Sequence, residues 1–180
     1  HGTRYERQSA IRALGVADSP SARRRIGSLL SRGPDDLEPE LHLDVLLAAR
    51  KIGDGSTAPE LDRVETWLSG QPHGDLQFAL VGGDPERGGR IVREHASAQC
   101  LRCHRVDGFG GEAGPVLDGV ALREDRSYLL QSLIDPSAVL VEGFGEASAM
   151  PPMHEILRPD EIRDVIAYLA TLDEVSVPGH

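Results

Sequence analysis

The 180-residue sequence has only two cysteines, two methionines and 4% aromatic residues. With so few aromatics, and with no run that alternates for long at period two, a sheet-rich fold is excluded. Ala, Leu and Arg abound instead, as in helical proteins. No stretch approaches the roughly 18 apolar residues of a membrane-spanning helix, so a soluble piece is expected. The chain begins at His1 with neither an initiator Met nor a signal peptide. It therefore reads as a mature or excised portion of a longer protein whose export signal lies outside it. Both cysteines fall within five residues. If both are used to hold a ligand, no disulfide remains, and stability must come from helix packing and the ligand itself.

Charge is shared unevenly. Residues 1–83 carry 10 Lys/Arg and 12 Asp/Glu, whereas residues 84–180 carry 9 Arg and 17 Asp/Glu. The second half is thus acidic at a net −8, which argues against nucleic acid, whose phosphates would be repelled. A partner protein with a basic docking patch would be attracted and steered.

The first half reads as four helices. Ala10, Ile11 and Leu14 stand at helical spacing, with Gly15 a candidate stop. Pro20 opens a second helix with Ile26, Leu29 and Leu30 on one face. Leu41, Leu43, Val45, Leu46, Leu47 and Ile52 mark a third that ends at Gly53, and Pro59 opens a fourth with Leu61, Val64, Trp67 and Leu68. Leu14-Gly15 recurs as Ile52-Gly53, Ile26 as Val64 and Leu30-Ser31 as Leu68-Ser69, always 38 residues on. A helix pair written twice is similar to HEAT-type repeats, in which each pair buries its apolar stripe against the next. Residues 1–70 are read as this repeat segment. Residues 71–83, rich in Gly and polar residues, are read as a linker or interface segment.

Cys100-Leu101-Arg102-Cys103-His104 is the most specific feature. In Cys-x-x-Cys-His, two thiols can add across the two vinyl groups of haem, and the next residue places an imidazole under the ring as proximal iron ligand. A structural zinc site would need a second ligand pair, which the sequence lacks. A thioredoxin-like pair would need a βαβ setting. Upstream, Asp84 is a natural N-cap, Pro85 suits the first turn and Glu86 the positive dipole end. Gly88 inside that helix needs a packing reason, and Tyr168 on a last helix begun by Pro159-Asp160-Glu161 is the candidate to lie across it. Gly108-Phe109-Gly110-Gly111 lacks the Gly-Lys-Ser/Thr of a phosphate loop and reads as a flexible connection.

Residues 84–172 resemble a class I cytochrome c domain: a Gly-bearing helix, Cys-x-x-Cys-His, Gly114-Pro115, a Met-Pro and a final helix with Ile162, Val165, Ile166, Tyr168 and Leu169. Ala98-Gln99-Cys100, Gly114-Pro115-Val116-Leu117 and Asp135-Pro136-Ser137-Ala138 resemble more closely the haem domain at the C-terminal end of planctomycete-type dehydrogenase-like chains, which often follows HEAT-like repeats. Val92 departs from the pattern, where an aromatic is common, so a less fully packed helix crossing is expected. The resemblance implies one covalent haem c, thioethers at Cys100 and Cys103, iron ligation by His104, a Pro115 carbonyl accepting the His104 ring proton, and Leu117 lining the haem. Tyr128, on a helix from about residue 126 to 133, is either near the haem or a packing residue.

For the sixth ligand, Met150 fits the family's Met-Pro best, with Leu157 seven residues beyond it; Met153 and His154 are the alternatives. The expected protein is all-α: HEAT-like repeats, then a monohaem cytochrome c domain over residues 84–180. Its expected function is single-electron transfer through a His/Met haem, relaying electrons from a dehydrogenase domain or partner. The domain would be an electron carrier more than an enzyme in its own right. The competing readings are a small-ligand sensor or peroxidase-like haem enzyme with an open sixth site, and a helical half whose surface is the working part. A periplasmic or secreted location follows from covalent haem attachment in the families resembled.

Overall fold

The computed structural model describes residues 2–17, 19–53, 55 and 57–174. They form two compact units, His1–Gly82 and Gly83–His180.

The first unit contains α1 (Arg4–Ala17), α2 (Pro20–Leu30), a single turn α3 (Gly33–Asp36), a 3-10 turn at Pro39–Leu41, α4 (His42–Ile52), α5 (Ala58–Ser69) and a 3-10 stretch at Gly74–Leu80. Ser19 caps α2 by accepting the Ala22 amide, and Pro20 occupies its first turn. Ile11, Ile26, Leu29, Leu30, Val45, Ala49 and Ile52 form the core. Both helix pairs start 38 residues apart, Arg4 with His42 and Pro20 with Ala58.

Gly15 does not end α1. The helix runs on to Ala17, and a Cβ on Gly15 would stand 2.8 Å from the Ala48 backbone of α4. The glycine is there so that two helices can cross closely. Gly53, its sequence counterpart, does stop its helix, in the left-handed conformation at φ 57° that glycine adopts without strain. Within residues 71–83, Phe78 is buried in this unit, its ring 5.5 Å from Trp67 and 4.9 Å from His42.

The second unit contains α6 (Pro85–Glu94), a 3-10 turn at Cys100–Arg102, strands β1 (Arg105–Val106) and β2 (Phe109–Gly110), a 3-10 turn at Val120–Leu122, α7 (Arg126–Ile134), a 3-10 turn at Met153–Glu155 and α8 (Pro159–Leu169). Asp84 caps α6 through the Glu86 and Arg87 amides. At α8 the Glu161 carboxylate reaches back to the Arg158 amide, 3.0 Å away. Gly88 faces α8 so closely that a Cβ would run into the Asp164 carbonyl and lie 2.8 Å from Tyr168 Cβ. Val92, on the same helix as Gly88, is buried.

Charge reinforces this crossing. Arg87 reaches Asp164 at 2.7 Å and Asp160 at 2.8 Å, and Asp164 also accepts the Asp84 amide. Burial alone would push the Asp160 carboxyl up, but hydrogen bonds from Arg87 and Arg158 outweigh it and hold it below the ordinary carboxylate range.

The glycine run after Cys-x-x-Cys-His is not a flexible connection. Arg105 pairs with Gly110 and Val106 with Phe109 in an antiparallel hairpin. Its two-residue loop is Asp107-Gly108, both at positive φ (53° and 79°), the backbone demanded by a tight hairpin with native twist.

Candidate haem site

The motif begins where α6 ends. The Gln99 amide donates to the His95 carbonyl, and the Ser97 and Ala98 amides converge on His95 Nδ1. The chain then turns through a positive φ at Gln99 into the Cys100–Arg102 turn. That turn is closed by the Cys103 and His104 amides, both donating to the Cys100 carbonyl at 3.2 and 2.9 Å. Its tightness brings the two thiols and the imidazole into one short loop. Cys100 is half-buried and Cys103 exposed, and neither is in a disulfide. Burial pushes the Cys100 thiol above its ordinary value, so it stays protonated at neutral pH.

His104 is fixed from two sides. Its Nδ1 lies 2.8 Å from the Pro115 carbonyl. A carbonyl only accepts, so Nδ1 carries a proton, and in the neutral ring the lone pair is on Nε2. Gly114 lies against the ring: a Cβ there would be 2.7 Å from Cε1. Two further bonds join the same chain segments, from the Leu117 amide to the Arg105 carbonyl and from the Asp107 amide to the Asp118 carboxylate.

The other residues singled out from sequence are less constrained. Leu117 and Tyr128 are half-buried, and Tyr128 sits in the first turn of α7, where its amide donates to the Asp125 cap. Met150 is half-buried, and its amide lies 3.2 Å from Ser148 Oγ. Met153 is only 4% exposed, and its carbonyl accepts the Ile156 and Leu157 amides. Asp107, Asp118 and Arg123 were not singled out from sequence. The Asp107-Gly108 pair, a hairpin signal, could have drawn attention to the first.

The donor set fits haem c. Two thiols separated by two residues are followed by a histidine whose Nδ1 is tied to a backbone carbonyl, on a backbone packed too tightly for a side chain at residue 114. Among the described residues, no group of three or more His, Cys, Asp and Glu is placed to hold a metal ion directly.

The fold and this motif together define a c-type cytochrome, and the chain belongs to the cytochrome c family. The family profile matches residues 86–173. Cytochrome c2 of Rhodospirillum rubrum is 33% identical over 119 residues, covering 52% of this chain and 84% of that protein. Cytochrome c-550 of Novispirillum itersonii is 30% identical over 115 residues, covering 50% of this chain and 99% of that protein. Membership brings a covalently bound haem c, haem-based electron transfer and a redox partner. No helix among the described residues is long and apolar enough to cross a membrane.

Proposed function

We propose that the second unit is a one-electron carrier whose haem iron is held by His104 and Met150, with thioethers at Cys100 and Cys103. The observation that carries this reading is the Nδ1–Pro115 hydrogen bond, which gives His104 the tautomer a proximal iron ligand needs. Bound haem supplies the one-electron couple of its iron. The protein's part would be to hold the iron through His104 and Met150 and to attach the haem through Cys100 and Cys103.

Burial separates the two methionines. Met153 belongs to the packing around Leu157 and α8, whereas Met150 lies just before the 3-10 turn, less enclosed. Thioether ligation favours reduced iron and a raised potential. Pro115 orients the ring, Leu117 lines the haem, and Tyr128 stands nearby.

The first unit serves as a HEAT-like scaffold, a reading supported by the shared 38-residue spacing of its helix starts. It would hold the cytochrome near a dehydrogenase domain or partner that donates electrons. Residues 1–70 make up that scaffold, residues 71–83 the connection and residues 84–180 the carrier. The acidic second half favours a partner with a basic docking face. Covalent haem attachment supports a periplasmic or secreted location for the protein.

Spectroelectrochemical titration of the haem-loaded chain tests the carrier role. A single reversible one-electron Nernst curve, with no turnover of hydrogen peroxide, is expected. Rapid peroxide consumption would replace it with a haem enzyme.

A further inference from the structure

The segments 104–107 and 115–118 are joined by three hydrogen bonds in order. His104 Nδ1 donates to the Pro115 carbonyl at 2.8 Å, the Leu117 amide to the Arg105 carbonyl at 3.0 Å, and the Asp107 amide to Asp118 Oδ1 at 2.7 Å. The first holds the iron ligand, and the last is the only one of the three supplied by an acidic side chain.

Asp118 is 5% exposed. Its carboxylate meets an amide in the hairpin turn, where Asp107 holds a positive φ of 53°. A bond from an amide to an ionised carboxylate is stronger than its neutral counterpart. From the other side, Arg123 donates to the carbonyls of Asp118 and Val116, both at 3.1 Å, so residues 116–118 are held at side chain and backbone alike. Arg93, in the last turn of α6, bridges Asp107 of the hairpin and the Tyr168 hydroxyl at 3.0 and 2.8 Å, tying the turn to α6 and α8.

We propose that Asp118 is a positioning residue for the iron ligand: by pinning the hairpin to residues 116–118, its carboxylate keeps the His104–Pro115 hydrogen bond short. The inference rests on His104 being the proximal ligand. Donation from Nδ1–H makes the imidazole a stronger electron donor, which favours the oxidised iron. Slackening that bond therefore raises the midpoint potential. Removing the nearby negative charge also raises it, so two variants are needed. Asp118→Asn removes the charge and keeps an oxygen acceptor for the Asp107 amide. Asp118→Ala removes both.

The test uses the full haem-loaded chain. Exchange of the His104 Nδ1 proton with solvent is followed by NMR in the reduced protein, beside the midpoint potential. D118A is expected to speed exchange at least tenfold and to raise the potential beyond D118N, while D118N keeps the parent exchange rate. Parent-like exchange in D118A, or equal potential shifts in the two variants, would overturn the proposal, as would a D118N that exchanges as fast as D118A. If D118A fails to retain haem, Asp118→Ser, too short to reach the amide, takes its place against D118N. A parent protein that lacks covalent haem by mass spectrometry would instead defeat the ligation reading itself.

Discussion

Gly114 lies flat against the ring of His104: a Cβ there would stand 2.7 Å from Cε1 and 2.9 Å from Nδ1. The next residue's carbonyl accepts the hydrogen bond from ring Nδ1. A side chain at residue 114 must therefore turn or push the imidazole. Gly114→Ala is predicted to reduce haem incorporation and to lower stability by about 1–3 kcal/mol, the usual consequence of overpacking. Denaturant unfolding and the ratio of Soret to protein absorbance measure both; a parent-like G114A would show that the ring has room.

The methionines three residues apart should respond in opposite ways. Met150→Ala is predicted to abolish the methionine-to-iron charge-transfer band and open the iron to carbon monoxide, with little change in unfolding free energy of the polypeptide packing. Met153→Ala should leave the spectrum intact but lower stability by roughly 2–5 kcal/mol, as for other buried methionines. An exchange of the two outcomes would assign the ligand to Met153.

Gly88 and Gly15 each allow a close helix crossing, one in each unit. In both, a larger residue gains about 1 kcal/mol in helix propensity at most. It loses more in the clash, because backbone, not a flexible side-chain end, stands in the way. Gly88→Val should lower the melting temperature of the haem-bound unit, and Gly15→Val that of the helical unit. Differential scanning calorimetry of the full chain reads both.

The Arg87–Asp160 contact predicts a pH dependence. Asp160 titrates below its unfolded value near 3.9, so its contribution is complete above that value and is lost as pH falls through the folded one. Asp160→Asn should cost roughly 1.5–3 kcal/mol at pH 7, the range for hydrogen bonds to charged groups. The gap between variant and parent should narrow once the pH falls well below the unfolded value, into the acid range. Denaturant titrations at neutral pH and in that range supply the comparison, and a gap that widens in acid would contradict it.

The haem motif and its neighbours were legible because their chemistry is local. Cys100, Cys103 and His104 are adjacent in sequence, Asp84 caps its own helix, and Gly88 opposite Tyr168 follows from the cost of a mid-helix glycine. What sequence reading missed was tertiary. Gly15 and Gly53 look alike beside Leu and Ile, yet only the neighbouring Ala48 shows that the first is a crossing point. The Asp107-Gly108 hairpin is masked in the sequence by three glycines within four residues, which suggest flexibility, although two φ-positive residues in a two-residue loop make a tight turn. Asp118 carried no sequence signal: its importance lies in meeting an amide eleven residues away.

The central claim, electron transfer by a c-type haem whose iron His104 and Met150 would hold, is tested most directly by absorption spectroscopy. Spectra of the purified haem-loaded protein, oxidised and reduced, are compared with and without carbon monoxide. The account predicts a sharp low-spin reduced spectrum, a methionine-to-iron charge-transfer band in the oxidised form and no shift with carbon monoxide. A high-spin spectrum that shifts with carbon monoxide would contradict it and make the protein a ligand-binding sensor or haem enzyme.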